Sequence, residues 1–140
     1  MPLRYAHAGE AFDRFMADAR DALNLQTSHQ TYTAVQAVLW VFRRRLDPPQ
    51  IIAFAQVLLP VLSDVFLQDW VKDEPRADFS GDVASWTREV QAVRAEHNFA
   101  PDRVIGVVAR VLRRHVDEEA LDTVLARLPA GAARFLTPEA

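Results

Sequence analysis

Residues 27–49 of this 140-residue chain read TSHQTYTAVQAVLWVFRRRLDPP, and this stretch decides the fold. Its apolar side chains recur every three or four residues, which is the period of an amphipathic α-helix. Thr27 followed by Gln30 has the pattern of a capping box at the start of that helix. Asp47 followed by Pro48 begins the next helix, as an N-cap and a first helical residue. The stretch therefore predicts a central helix with a wide apolar face.

The same period continues through most of the remaining chain, and no segment alternates as a strand does. The fold class expected from this pattern is all-α. The further helices are predicted near residues 10–24, 48–59, 61–70, 82–97, 101–112 and 117–128, with a short turn or helix at 135–136.

The two halves of the chain repeat the same order of features. Residues 38–47 align with 108–117, and each segment ends a helix in clustered basic residues followed by an aspartate. The Leu-Pro pair at 59–60 then aligns with the Leu-Pro pair at 128–129. Each half would be a helical unit that cannot cover its own apolar faces, so the halves are expected to pack together.

This organisation predicts a single domain spanning residues 1–140. It consists of two pseudo-repeats of about 70 residues, at 8–70 and 81–137, joined by a linker at 71–80. Six to eight helices are expected, packed into one helical bundle. The linker is assigned because residues 71–80 show no period and contain Pro75.

Composition excludes several kinds of chemistry. The chain has no cysteine, which excludes disulfides, zinc ribbons and thiol catalysis. Its four scattered glycines build neither a phosphate loop nor a nucleophile elbow. The net charge of −3 argues against a general nucleic-acid binder. No apolar run reaches the ~18 residues of a membrane span, and the first ten residues do not resemble a signal peptide, so we expect a cytoplasmic protein. Because the sequence has no recognisable catalytic motif, we expect neither a cofactor nor enzymatic activity.

Two arginine clusters end the equivalent helices of the two halves: Arg43, Arg44 and Arg45, then Arg113 and Arg114. They could form a paired anion or phosphate site, or contact RNA. Cations also complement the dipole at a helix C-terminus, a stabilisation of ~0.3–1 kcal/mol. We favour this structural interpretation, in which the clusters also pair with the acidic residues that follow them.

His115 follows the second cluster and is the strongest histidine candidate. With Asp117 and its neighbours it could form a metal or acid–base site, but no pair of histidines has the spacing of zinc ligands. A partly buried, hydrogen-bonded side chain is the favoured interpretation for His115. His97 continues an apolar face and is also expected to point inward.

Trp40 lies off the main apolar face of its helix and aligns with Arg110 in the second half. It could anchor a protein partner, because Trp is enriched in interface hot spots. It could instead pack against residues 1–8 or between the two halves. We favour packing within the chain, since Trp is well buried on average.

Several of these segments also carry a family resemblance. They are residues 34–39 leading to 42–46, then 58–60, 66–70, 111–116 and 128–129. Over about residues 8–137 the chain resembles the bacterial family known as domain of unknown function 2267. The resemblance implies a small, helical, soluble bacterial protein, and it implies no activity and no catalytic residues.

The function favoured by the sequence is a non-enzymatic module for protein–protein association, with an unknown protein partner or as a homodimer. The first alternative is a small-molecule or anion site in the crevice between the repeats, near Arg43, Arg44, Arg113, Arg114 and His115. The second alternative is weak nucleic-acid binding by the arginine clusters, which is disfavoured. Membrane association is not expected.

Overall fold

The computed structural model describes residues 7–71 and 74–139, and every regular element within these ranges is a helix. The predicted all-α class with six to eight helices is confirmed for these residues. The eight α-helices of these ranges are α1 (Ala8–Leu23), α2 (Ser28–Arg43), α3 (Pro48–Ala55), α4 (Pro60–Leu67), α5 (Val83–Ala92), α6 (Val104–Arg114), α7 (Glu118–Arg127) and α8 (Ala132–Phe135). A short 3₁₀ helix, Ala95–His97, follows α5. None of these helices is long and apolar enough to cross a membrane.

Side-chain caps set the beginnings of α2 and α3. Thr27 Oγ1 accepts the Gln30 amide at 3.0 Å, as predicted, while the Gln30 side chain accepts the amide of Gln26 rather than that of Thr27. Asp47 and Gln50 form the full reciprocal capping box, with distances of 2.8 and 2.9 Å. Both caps satisfy amides that a helix start otherwise leaves unpaired.

The sequence predicts one helix over residues 82–97, but α5 ends at Ala92 and spans only ten residues. Asn98 Nδ2 donates to the carbonyls of Val90 and Val93, each at 2.8 Å, and so satisfies the last turn. Arg94 then adopts a left-handed conformation with φ of 50°. The chain turns there into the 3₁₀ helix instead of continuing α5.

Helix α2 lies at the centre of the fold and is buried along most of its 16 residues. It packs against α1, α4, α5 and α6. Helix α1 in turn packs against α6, so the first helix of each half covers the second helix of the other half. The pseudo-repeats and their boundaries remain predictions from the sequence.

A cluster of aromatic rings joins the two halves around Phe42 of α2. Its ring centroid lies 4.7 Å from that of Phe54, 5.3 Å from that of Phe135 and 5.8 Å from that of Phe79. Phe79 belongs to the predicted linker at 71–80 and is buried. Such ring pairs contribute about 0.5–1.5 kcal/mol beyond their buried area. The linker is thus anchored in the core at Phe79, while residues 75–78 are exposed.

Gly131 provides the test of this anchor. It has φ of 100°, and an added Cβ would lie 2.5 Å from Cβ of Phe79. Gly131→Ala should therefore lower the free energy of unfolding by roughly 2 kcal/mol or more, through backbone strain and displacement of Phe79. Urea denaturation followed by circular dichroism measures this change.

Gly9→Ala is the matched control, because Gly9 lies in α1 and an added Cβ would meet nothing within 4 Å. This variant should leave the free energy of unfolding unchanged or raise it by up to ~1 kcal/mol. Equal stability of the two variants would show that Gly131 does not constrain Phe79.

Candidate functional site

The first arginine cluster lies at the end of α2, and Arg43 is its most buried member, with 4% of its surface exposed. Its Nη1 donates to the carbonyls of Phe66, in the last turn of α4, and of Gln68, the residue after α4, both at 2.8 Å. Burial lowers the pKa of the guanidinium, while the carboxylate of Glu74, 3.9 Å away, opposes this shift. Arg43 therefore caps α4 from inside the protein.

Arg44 and Arg45 share one carboxylate, that of Glu89 on α5. Arg45 Nη2 lies 2.6 Å from Glu89 Oε2, and Arg44 Nη1 lies 3.2 Å from Oε1. Burial raises the pKa of Glu89, but the hydrogen bonds and charge of Arg45, helped by Arg44, outweigh it and leave the pKa lowered. The end of α2 is thereby joined to α5.

The second cluster follows the same principle at the end of α6. Arg113 Nη1 lies 2.8 Å from Oδ1 of Asp122 on α7. Arg114 and His115 both bind Asp18 on α1, each with one nitrogen 3.0 Å from a carboxylate oxygen. Burial raises the pKa of Asp18, but the hydrogen bonds of His115 and Arg114 outweigh it, so the pKa is lowered.

The acidic partners of the clusters were not identified from the sequence. The residues expected to pair with them act elsewhere: Asp47 lies 3.8 Å from Arg76, and Asp117 caps α7 by accepting the Ala120 amide. The acidic partners are Glu74 and Glu89 for the first cluster and Asp122 and Asp18 for the second. Of these, Glu89 and Asp18 are more than 40 residues away from their arginines along the chain. No local pattern in the sequence signals such distant pairs.

The histidines differ from each other. His115 is half-buried and packs edge-on against Phe15, with ring centroids 5.6 Å apart. His97 is exposed in the 3₁₀ helix, so the expectation that it points inward was wrong, because α5 ends before reaching it. Within residues 7–71 and 74–139, no three His, Asp or Glu side chains are grouped as metal ligands would be.

Trp40 is half-buried between α2 and α4. Its Nε1 donates to the carbonyl of Val65 at 3.4 Å. The guanidinium groups of Arg43 and Arg94 lie 5.4 and 5.7 Å from the ring centroid. These contacts place the ring against the chain's own residues, while contact with residues 1–6 lies outside the described part of the chain.

The crevice expected to collect both arginine clusters does not bring them together. A cavity of about 300 Å³ is lined by Arg43 and Arg44, together with Arg76 and the acids Asp47 and Glu74. The residues of the second cluster do not line it. Its charges are nearly balanced, and the guanidinium of Arg43 is already occupied by carbonyl groups.

A larger concave surface lies across α1, the start of α2, and α4. A cleft of about 690 Å³ between α1 and α2 adjoins one of about 450 Å³ beside α4, and Phe12 and Tyr32 line both. We call this surface the α1–α4 groove. Its half-buried apolar side chains are Phe12, Met16, Leu25, Tyr32, Val61 and Leu67, and exposed Ala17 and buried Val65 also line it.

Hydrogen bonds fix the floor of the groove, and carboxylates line its edges. Tyr32 Oη and Gln36 Nε2 each donate to Gln68 Oε1 at 2.9 Å, which ties α2 to the end of α4. Exposed Asp13 lies on the α1 edge and exposed Asp64 on the α4 edge. The sequence placed Phe12 and Tyr32 on apolar helix faces without indicating that those faces stay partly open.

The Arg45–Glu89 pair makes a stability prediction. Glu89→Ala should lower the free energy of unfolding by about 2–4 kcal/mol, because it leaves the buried Arg45 charge without its carboxylate. The double variant Arg45→Met, Glu89→Leu should recover much of this loss, since it removes both charges. Urea denaturation of the parent, both single variants and the double variant completes the cycle.

Glu96→Ala is the control, because Glu96 is exposed and makes no ion pair among the described residues. It should change stability by less than ~0.5 kcal/mol. A loss in Glu89→Ala no larger than in this control would show that the buried pair contributes nothing.

The lowered pKa of Asp18 makes a prediction about pH. A carboxyl group whose folded-state pKa is lowered stabilises the fold above its unfolded-state value of ~3.9, and this stabilisation is lost as the pH falls toward the folded-state value. Asp18→Asn should therefore be less stable than the parent at neutral pH, and the difference should shrink toward about pH 3. Urea denaturation across this pH range measures the difference.

Asp21→Asn is the matched control on α1, because Asp21 is exposed and has no ion pair in the described ranges. It should follow the parent at every pH. A difference between Asp18→Asn and the parent that stays constant with pH would contradict the role of the Asp18 carboxylate.

Comparison with known proteins identifies the family. No curated protein matches the chain. The sequence profile described as "Uncharacterized conserved protein (DUF2267)" matches residues 12–135, from the first turns of α1 to the last residue of α8. This range contains both arginine clusters and every residue that lines the groove. The chain therefore belongs to the DUF2267 family of uncharacterized conserved proteins.

Proposed function

We propose that this protein is a non-enzymatic interaction module that binds a helical segment of another protein in the α1–α4 groove. The observation that carries the proposal is the continuity of the groove, whose two clefts share Phe12 and Tyr32. Helix-in-groove recognition uses an apolar floor that receives side chains spaced at i, i+3, i+4 and i+7 of the partner helix.

The form of the groove supports this class of partner. Phe12 and Met16 stand one turn apart on α1, and Val61 and Leu67 stand nearly two turns apart on α4. Apolar contacts are therefore offered along two helices, with the start of α2 between them. A partner helix laid along this surface buries apolar area without displacing any core residue.

The anion-binding alternative has weaker support. Four of the five clustered arginines make at least one contact of 3.0 Å or less with carbonyl or carboxylate oxygens of the chain. The fifth, Arg44, shares the carboxylate of Glu89. An anion would have to compete with these partners. We also propose a cytoplasmic location, which rests on the sequence alone.

Selection of helical peptides on the full-length chain tests the proposed function. The library displays an amphipathic helix with fixed Leu positions and randomised charged positions, so that it does not favour either sign of charge. Peptides that bind the parent should lose at least tenfold in affinity to Ala17→Arg, because exposed Ala17 lines the groove and the longer side chain fills it.

Ala126→Arg is the matched control, since Ala126 is exposed on α7, away from the groove. Fluorescence anisotropy measures the affinity of each selected peptide for the three proteins. Peptides that bind the parent and Ala17→Arg equally would show that the groove is not the binding site.

A further inference from the structure

Building on the proposed function, we infer that the α1–α4 groove takes a basic amphipathic helix rather than a second copy of this chain. The inference comes from the charges at the two edges of the groove. Asp13 and Asp21 lie on the α1 side, Asp64 lies on the α4 side, and all three are exposed. A helix in the groove therefore meets carboxylates along both flanks.

These three carboxylates have no ion pair among the described residues, unlike Asp18 on the same helix as two of them. Asp18 binds Arg114 and His115 and so helps to hold α1 on α6. On α1, Asp18 therefore takes part in contacts between helices, whereas the acids on the groove side have no ion pair within residues 7–71 and 74–139. They remain available to the cations of another molecule.

Arg20, the one arginine among the groove residues, does not neutralise the three carboxylates. Arg20 Nη2 and Nε donate to the carbonyls of Gln26 and Leu25 in the loop between α1 and α2. Its guanidinium is thus held at the loop, at one end of the larger cleft. With three carboxylates against this one guanidinium, the described groove has an acidic balance.

The same charges disfavour a homodimer through this surface. In a two-fold dimer the same patch faces itself, so the groove carboxylates of one copy would face those of the other. Like charges brought together in this way cost free energy and oppose the pairing. A partner whose apolar face is flanked by Lys or Arg avoids this cost, because their long side chains can lie along the groove wall and reach the rim.

Two labelled peptides of 18 residues test the inference on the full-length protein. Both contain Leu at i, i+3, i+4 and i+7 on an Ala background, and their other face carries either Lys or Glu. Fluorescence anisotropy at ~0.15 M ionic strength should show at least tenfold tighter binding of the Lys peptide. Its affinity should fall as salt is added, because rim charges are screened.

Charge reversal localises the effect. Asp13→Lys with Asp64→Lys should weaken the Lys peptide at least tenfold and strengthen the Glu peptide. The control, Glu96→Lys with Glu118→Lys, changes the net charge equally at exposed positions away from the groove. It should leave the affinity for the Lys peptide within about twofold.

The opposite outcomes are distinct. Equal binding of both peptides, lost in Ala17→Arg, would keep the proposed function and overturn the basic partner. Self-association of the parent that Ala17→Arg abolishes would assign the groove to a second copy. Binding only to a variant lacking residues 2–6 would make the protein's own first residues the occupant. If both charge reversals weakened binding of the Lys peptide equally, the attraction would depend only on the net charge of the protein, and the inference would be overturned.

Discussion

The burial of α2 from nearly every side is the constraint on which the rest of the fold depends. A helix with so many apolar residues needs several neighbours, and α1, α4, α5 and α6 provide them. No single half of the chain contains all four of these neighbours. The halves therefore interlock: α5 of the second half packs against α2, and α1 of the first half packs against α6. The central helix of each half thus contacts the first helix of the other half.

The same burial explains what the arginine clusters do. Because α2 ends inside the protein, Arg43 and Arg45 are buried and need oxygen acceptors. Arg43 donates to carbonyls at the C-terminal end of α4, and Arg45 binds the carboxylate of Glu89 on α5. At the end of α6, Arg114 and His115 likewise bind the carboxylate of Asp18 on α1. Runs of arginine that look like an anion site in the sequence thus hold neighbouring helices together, and the pairs with Glu89 and Asp18 do so across the two halves.

Sequence predicted most closely what is decided within a few residues. The starts of α2, α3 and α7 follow caps that lie within one turn of their helix, such as Asp47 and Asp117. The end of α5 was missed because Asn98 reaches back eight residues to a helix carbonyl. Glu89 and Asp18, the distant partners of the arginine clusters, were missed for the same reason on a larger scale, since residues 45 and 89, like 114 and 18, meet only after the halves have packed.

The groove shows why an apolar period cannot by itself locate a binding surface. Phe12 and Tyr32 belong to the helical faces that also contain core residues, yet both remain half-buried, because α1, α2 and α4 meet there without a further described helix above them. The pairing of charged side chains distinguishes covered helix faces from uncovered ones better than hydrophobicity does. Where the fold closes over α1, its acid Asp18 is paired, and where the fold stays open, Asp13 and Asp21 have no ion pair among the described residues. Unpaired carboxylates beside uncovered apolar side chains therefore mark the face of α1 that the protein's own packing does not use.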